Sequence, residues 1–197
     1  MATIEFWYEF TSPYSYPAAM GIEKTAAENG VQVQWKPFLL GPIFKAQGWD
    51  NSPFNIYPAK GAYMWRDMER ICEAQNLAFT RPAIFPQNSL SAARLALCTV
   101  VAGHVADFTK LVYQAAFANQ KDIFLPETLE QILKSLAINP DVAFEQAGSL
   151  DVKAALRINT ETAIEKQIFG APSFVTQGGE LFWGNDRLAQ AVAWRAG

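Results

Sequence analysis

Glu9-Phe10-Thr11-Ser12-Pro13-Tyr14-Ser15-Tyr16 joins a run of strand-forming residues to a helical pattern, and the chain is arranged about that joint. Ile4 to Phe10 is rich in β-branched and aromatic side chains and predicts a strand. Pro17 to Asn29 predicts a helix, with Ala18, Ala19, Met20, Ile22 and Ala26 as its apolar face. Ser12 is expected to cap that helix, and Pro13 to sit in its first turn, where an N–H has no intrahelical partner to lose. A group held there meets the positive end of the helix dipole and unpartnered backbone N–H groups. That setting lowers the pKa of a cysteine thiol in a Cys-x-x-Cys pair. Here the frame reads Ser12-Pro13-Tyr14-Ser15, and neither serine can enter a disulfide. The electrostatics remain and the redox couple is gone, so a thiol acting here must come from outside the chain. A strand followed by a serine-capped helix also occurs with no chemistry at the turn, and this segment alone leaves both readings open.

Working outward, Val31 to Phe38 alternates Val31, Val33 and Trp35 with Gln32, Gln34 and Lys36 and predicts a second strand, parallel to the first across the helix. Leu39 to Pro58 is dense in Gly, Pro and Asn and predicts a loop. Ala59 to Asn76 predicts a helix with Tyr63, Met64, Met68, Ile71 and Cys72 along one side, and Leu77 to Asn88 a second loop. Helices are expected at Leu90–Ala102, Val105–Asn119, Pro126–Leu136, Pro140–Ala147 and Leu150–Ile168, with Asn139-Pro140-Asp141 as a clear start signal. The tail then predicts a hairpin, Ser173–Thr176 and Glu180–Trp183 about Gln177-Gly178-Gly179, and a closing helix from Asp186 to Arg195. A β-α-β unit in front and a β-β-α unit behind, with helices between, is the plan of an α/β thioredoxin-like fold with a large helical insertion. The expected division is a discontinuous domain of residues 1–40 and 155–197 around an insertion of 41–154.

Composition excludes several classes. In 197 residues, 50% are hydrophobic and 18% charged, which is ordinary for a globular chain. A net charge of −3 with no basic run argues against a nucleic-acid or membrane-surface partner. No apolar stretch approaches the roughly 20 residues of a membrane span. The N-terminal residues lack a basic start and apolar core, so no secretory signal is expected. Cys72 and Cys98 fall in helical patterns and read as buried thiols, which with the missing signal implies a cytoplasmic address. One histidine, His104, and two helical cysteines offer no metal cluster and no Ser-His-Asp set.

Two further segments bear on chemistry. Phe169-Gly170-Ala171-Pro172-Ser173-Phe174 leads into a strand through a proline. In thioredoxin-like proteins this proline is cis and faces the start of the first helix, presenting the preceding residue's backbone to a thiol-bearing peptide. An ordinary strand-leading proline is the alternative. Phe182-Trp183-Gly184-Asn185-Asp186-Arg187-Leu188 offers Asn185 and Asp186 either as caps of the last helix or as partners for a free amino-acid group, Asp186 accepting from its ammonium.

Taken in order, Phe10-Thr11-Ser12-Pro13-Tyr14-Ser15-Tyr16, Lys60-Gly61-Ala62-Tyr63-Met64, Phe169-Gly170-Ala171-Pro172 and Trp183-Gly184-Asn185-Asp186-Arg187 resemble the 2-hydroxychromene-2-carboxylate isomerase family. These enzymes are relatives of kappa-class glutathione transferases and, more distantly, of periplasmic disulfide oxidoreductases. The resemblance implies glutathione as cofactor, Ser12 at its sulfur, Ala171 beside Pro172 on its cysteinyl backbone, and Trp183, Gly184, Asn185 and Asp186 at its γ-glutamyl end. It implies that Lys45 and Asn55 contact an aromatic hydroxy or oxo acid, and that Lys60 serves either that substrate or the glycyl carboxylate. For both lysines, a solvated surface charge is the alternative. It also implies a homodimer. The family reaction opens a cyclic hemiketal to a benzylidenepyruvate and rotates its double bond through reversible thiolate addition. Trp49, Phe54, Tyr57 and Phe85 are candidate pocket walls or core residues. Two alternatives are a general kappa-like glutathione transferase or peroxidase, and a non-catalytic module that binds glutathione or a peptide.

Overall fold

β1 (Ala2–Tyr8) runs through the interior of a four-stranded sheet in a computed structural model that describes residues 2–194. It pairs in parallel with β2 (Val31–Pro37) on one side and antiparallel with β3 (Ser173–Thr176) on the other. β4 (Leu181–Trp183) completes the order β2-β1-β3-β4, antiparallel to β3. Two parallel strands cannot be joined by a tight turn, and α1 (Ser15–Glu28) supplies the crossover. The period of two sends alternate side chains of β1 to opposite faces. Ile4, Phe6 and Tyr8 enter the main apolar core with Ala18, Ala19 and Ile22 of α1, whereas Trp7 enters a second cluster with Phe38, Ile43, Ala163 and Val175. Aromatic contacts knit the central strands: Phe6 stacks on Phe174 at 5.5 Å between centroids and meets Trp35 edge-on at 5.2 Å.

Between β2 and β3 lie α2 (Leu40–Ala46), α3 (Pro53–Ile56), α4 (Pro58–Ala74), α5 (Leu90–Leu95), α6 (Val105–Phe117), α7 (Pro126–Ser135), α8 (Pro140–Gly148) and α9 (Leu150–Glu165). After β4 a short 3₁₀ turn, Asn185–Arg187, leads into α10 (Leu188–Ala193). This is the thioredoxin-like arrangement that the order of sequence patterns predicts. The main core is continuous from Ile4 and Phe6 of the sheet into Met64 of α4, Val112 of α6, Leu133 of α7 and Leu156 of α9. The expected boundary at residue 154 falls inside α9.

Several local expectations are corrected. Ser12 does not cap α1: the helix begins at Ser15 after a turn in which Ser15 N–H and Tyr16 N–H donate to the carbonyls of Ser12 and Pro13. The region 39–58 is not all loop, because its prolines serve as helix starters. Pro42 occupies the first turn of α2, and Pro53 opens α3 under Ser52, whose hydroxyl accepts from Phe54 N–H at 3.3 Å. The helix expected over Leu90–Ala102 stops at Leu95 and continues in turns, so Cys98 lies outside a helix. Neither Asn185 nor Asp186 caps α10, whose preceding residue is Arg187 and which has no side-chain cap. Asn139 caps α8 as expected, accepting from Asp141 N–H at 3.0 Å. Arg195, the expected end of the last helix, lies outside the described residues.

Candidate active site

Freed from capping, the Ser12 side chain turns across the sheet end. Its hydroxyl donates to the Ala171 carbonyl at 2.7 Å, and the Ala171–Pro172 bond that follows is cis. Sequence positions 12 and 171 meet because β1 and β3 are hydrogen-bonded neighbours, which brings the residue after one strand beside the residue before the other. Ser12 is 7% exposed and Ala171 is buried. The Pro172 carbonyl accepts from Gly184 N–H at 2.9 Å, which ties the residues after β4 to the same spot. Gly184 has φ +109°, and a Cβ there would lie 2.6 Å from an Asp186 carboxylate oxygen, so only glycine suits this turn. A Cβ on Gly170 would meet the Trp183 indole nitrogen at 2.4 Å; its absence lets the half-exposed indole lie against the chain, with Phe169 at 5.0 Å between ring centroids.

These groups open into a cleft of about 1460 Å³. Of the residues singled out by sequence, Ser12, Ala171, Pro172, Trp183, Gly184, Asn185, Asp186, Lys45 and Lys60 all line it. Asn55 does not line it: its amide donates to the Asn51 side chain at 3.0 Å and to the Phe85 carbonyl at 3.2 Å, so it braces the α3 region against the 77–88 loop. Trp49, Phe54 and Phe85 line the cleft and Tyr57 does not. The wall is set by a close approach of α3 to α4, where a Cβ on Gly61 would fall 2.1 Å from the Phe54 carbonyl oxygen. The Lys60 ammonium then sits 5.8 Å from the Phe54 ring centroid.

Three features escape the sequence reading. Lys60, Tyr63, Asp67 and Ile71 recur at helical spacing on α4 and form its cleft-facing stripe, while Met64, Met68 and Cys72 form its core-facing one. The expectation that Tyr63 and Ile71 lie along the same side as Met64, Met68 and Cys72 is thereby corrected; Tyr63 is 61% exposed. Second, the Tyr14 hydroxyl donates to Asp67 at 3.0 Å. Burial, reinforced by the Asp67 carboxylate, pushes this phenol above its ordinary value and keeps it a neutral donor. Third, Glu9 is 4% exposed yet borders the cleft, accepting from Thr11 N–H at 2.9 Å and from the hydroxyls of Thr11 and Ser89. Glu9 is thus an acid–base group beside Ser12 whose neighbour relations are invisible in sequence, because Ser89 is 80 residues away.

No thiol of the chain reaches this site. Cys72 and Cys98 are buried and free, burial pushes both up to about 11, and neither borders the cleft. Among the described residues no group of three or more His, Cys, Asp or Glu side chains is arranged to hold a metal ion, and no helix is long and apolar enough to cross a membrane. Asp186 is 77% exposed in its side chain and lies 3.6 Å from the Arg187 guanidinium. Its negative charge is thus partly screened by water and partly answered by its neighbour.

Comparison with known proteins agrees with this architecture. The family profile of the DSBA-like thioredoxin domain matches residues 3–193. Glutathione S-transferase kappa 1 of Caenorhabditis elegans is 25% identical over 198 residues, covering 94% of this chain and 87% of its own. The 2-hydroxychromene-2-carboxylate isomerase of Sphingobium xenophagum is 26% identical over 188 residues, covering 94% of each chain. A solved structure of a 2-hydroxychromene-2-carboxylate isomerase shares the fold with a TM-score of 0.85 at 22% identity, over 95% of this chain and 91% of that one.

Proposed function

The chain belongs to the DSBA-like thioredoxin domain family, and from that premise we propose that it is a glutathione-dependent isomerase interconverting 2-hydroxychromene-2-carboxylate and trans-o-hydroxybenzylidenepyruvate. The observation that carries the proposal is the hydrogen bond from Ser12 to the carbonyl before cis-Pro172, at the mouth of a large cleft that no cysteine borders. In this family's frame that is a thiol-handling position stripped of its own thiol. Relatives named as isomerases and as kappa-class transferases support the reading.

The residues present fit glutathione by charge and shape. Its two carboxylates find Lys45, Lys60 and Arg187 on the cleft border, and its ammonium finds Asp50, Asp67 and Asp186, with Glu9 also lining the cleft. The backbone of Ala171 supplies an edge for an extended peptide. When bound, glutathione supplies a thiol whose addition to a conjugated carbon turns a double bond into a single bond free to rotate. Ser12 has one hydroxyl proton, and in this structure it points at Ala171. A sulfur anion is the stronger acceptor, because charge-assisted hydrogen bonds are roughly twice as strong as neutral ones. Ser12 therefore turns its donor to the sulfur and holds it as thiolate, with the start of α1 adding positive potential. Lys45 or Lys60 answers the carboxylate of the organic acid, and Trp49, Phe54 and Phe85 exclude water from its ring. The buried neutral thiols and the dependence on reduced glutathione support a cytoplasmic address, and a homodimer belongs to the same reading.

The test is incubation of the purified protein with 2-hydroxychromene-2-carboxylate, with and without catalytic glutathione, followed by absorbance and chromatography. Isomerisation that requires glutathione but leaves its concentration unchanged supports the assignment. A glutathione conjugate that accumulates instead would assign a kappa-like transferase, a reading favoured by the volume of the cleft and by the kappa-class relative. Binding of glutathione with turnover of neither kind would leave a non-catalytic module.

A further inference from the structure

The chemistry described for Ser12 uses no base, yet the floor of the cleft contains one. Glu9 follows β1, three residues before Ser12, and is the one acidic or basic side chain buried among the described residues. Three donors converge on its two carboxyl oxygens: the Ser89 hydroxyl on Oε1, and the Thr11 N–H and hydroxyl on Oε2. A carboxylate only accepts, so three donors are the partner set of its ionised form. Among the described residues no ion pair supplies a counter-charge. From α6 it faces Tyr113, whose hydroxyl donates to the Glu9 carbonyl at 2.9 Å, and along its own strand Tyr8, bonded to Thr109. From the start of α5 it faces Ser89, and from its own turn Thr11 and Ser12. None of these is a lysine, arginine or histidine. Burial pushes the carboxyl above its ordinary value, toward holding a proton, and the hydrogen bonds from Ser89 and Thr11 oppose that shift in part.

Thr11 and Ser89, whose hydroxyls touch Glu9, are both cleft-lining residues, so each stands between the carboxyl and whatever sits over Ser12. We infer that Glu9 stores the proton that a bound thiol gives up, so that the cleft makes a thiolate without releasing a proton or gaining charge. This rests on the glutathione reading above. The S–H bond breaks, its proton passes to the Thr11 or Ser89 hydroxyl, and that hydroxyl's own proton passes to Glu9. The electron pair stays on sulfur. The site starts with one negative charge on oxygen and ends with one on sulfur, and no oxidant or reductant takes part. The physical reason is that two anions in a buried floor repel, so each raises the other's pKa and the pair carries one proton in common. Glu9 never touches the sulfur; it acts through the hydroxyls and is a positioning residue for the proton.

Two measurements on the intact protein decide the matter. Ultraviolet thiolate absorbance counts thiolate formed when reduced glutathione binds near neutral pH. Calorimetry in two buffers of different ionisation enthalpy counts protons released. The wild type should form thiolate with far less than one proton released per thiolate, while Glu9→Gln should release about one, because an amide cannot accept the proton. Glu9→Asp should restore the low count, which a purely structural tie would not do. One proton released per thiolate by the wild type overturns the inference, even if the Glu9→Gln protein fails to fold. Absence of any thiolate absorbance overturns the glutathione reading itself, and the inference with it, so the two failures are told apart.

Discussion

Replacing Ser12 with alanine removes one O–H donor from a position 7% exposed, and the consequence for a bound thiol can be worked from the structure. In the free protein that donor is spent on the Ala171 carbonyl at 2.7 Å. Turning it to a thiolate gains a charge-assisted hydrogen bond of about 1.5–3 kcal/mol and gives up a neutral one of about 0.5–1.5 kcal/mol. The net preference for the charged sulfur is about 1–2 kcal/mol, or roughly one pKa unit at 1.36 kcal/mol per unit. The sign follows from which form loses a partner: alanine penalises only the thiolate, so the thiol pKa of bound glutathione rises by about one unit. Turnover at neutral pH should fall up to about tenfold and recover as pH rises, because thiolate then forms without help. The assay is thiolate absorbance of the glutathione complex against pH for both proteins, with a thermal melt to show that Ser12→Ala remains folded. Superimposable titration curves would refute the argument and leave Ser12 as a brace for the Ala171 loop. Ser12→Cys is the companion variant, expected to form a mixed disulfide with oxidised glutathione and lose turnover.

Other consequences are smaller or concern stability. Asp186→Ala should weaken glutathione binding by only about 0.5–1 kcal/mol, since the carboxylate is 77% exposed and Arg187 lies 3.6 Å away; unchanged affinity by calorimetry would remove Asp186 from the γ-glutamyl contact. Insulin disulfide reduction should be absent, because the Cys-x-x-Cys frame holds Ser12 and Ser15; turnover abolished by replacing Cys72 or Cys98 would contradict that. Gly61→Ala should destabilise the protein by about 1–3 kcal/mol, the range for overpacking, because its Cβ would meet the Phe54 carbonyl at 2.1 Å. A denaturant midpoint equal to wild type would show that α3 can yield. Burial holds Cys72 and Cys98 protonated up to about 11. The unfolded chain therefore loses these protons first, and stability should fall as pH rises through the window between the ordinary thiol value and about 11. Cys72→Ala and Cys98→Ala should flatten that alkaline slope.

Local chemistry in the sequence determined the elements and their order. The β-branched and aromatic run before Glu9, the alternation of Val31, Val33 and Trp35, and the cap at Asn139 each act within a few residues, so each was legible. The serines in the Cys-x-x-Cys frame, and the order of the four family segments, pointed to a thiol site without its own thiol. What the chain order could not carry was which way a side chain turns when two segments compete for it. Ser12 has the composition of a cap, yet its hydroxyl bonds to Ala171, 159 residues away, because β1 and β3 pair and bring that carbonyl within reach. Pro42 and Pro53 look like breaks and begin helices, because a first-turn residue loses nothing by lacking an N–H. Asn55 looks like a binding residue and is held by Asn51 and Phe85. Glu9 reads as an ordinary strand-end acid, and only the packing of Ser89 and Tyr113 around it makes it buried and without a counter-charge. Backbone preference is local and survives in the sequence; burial and hydrogen-bond partnership are set by residues distant in the chain, and those the tertiary structure alone decides.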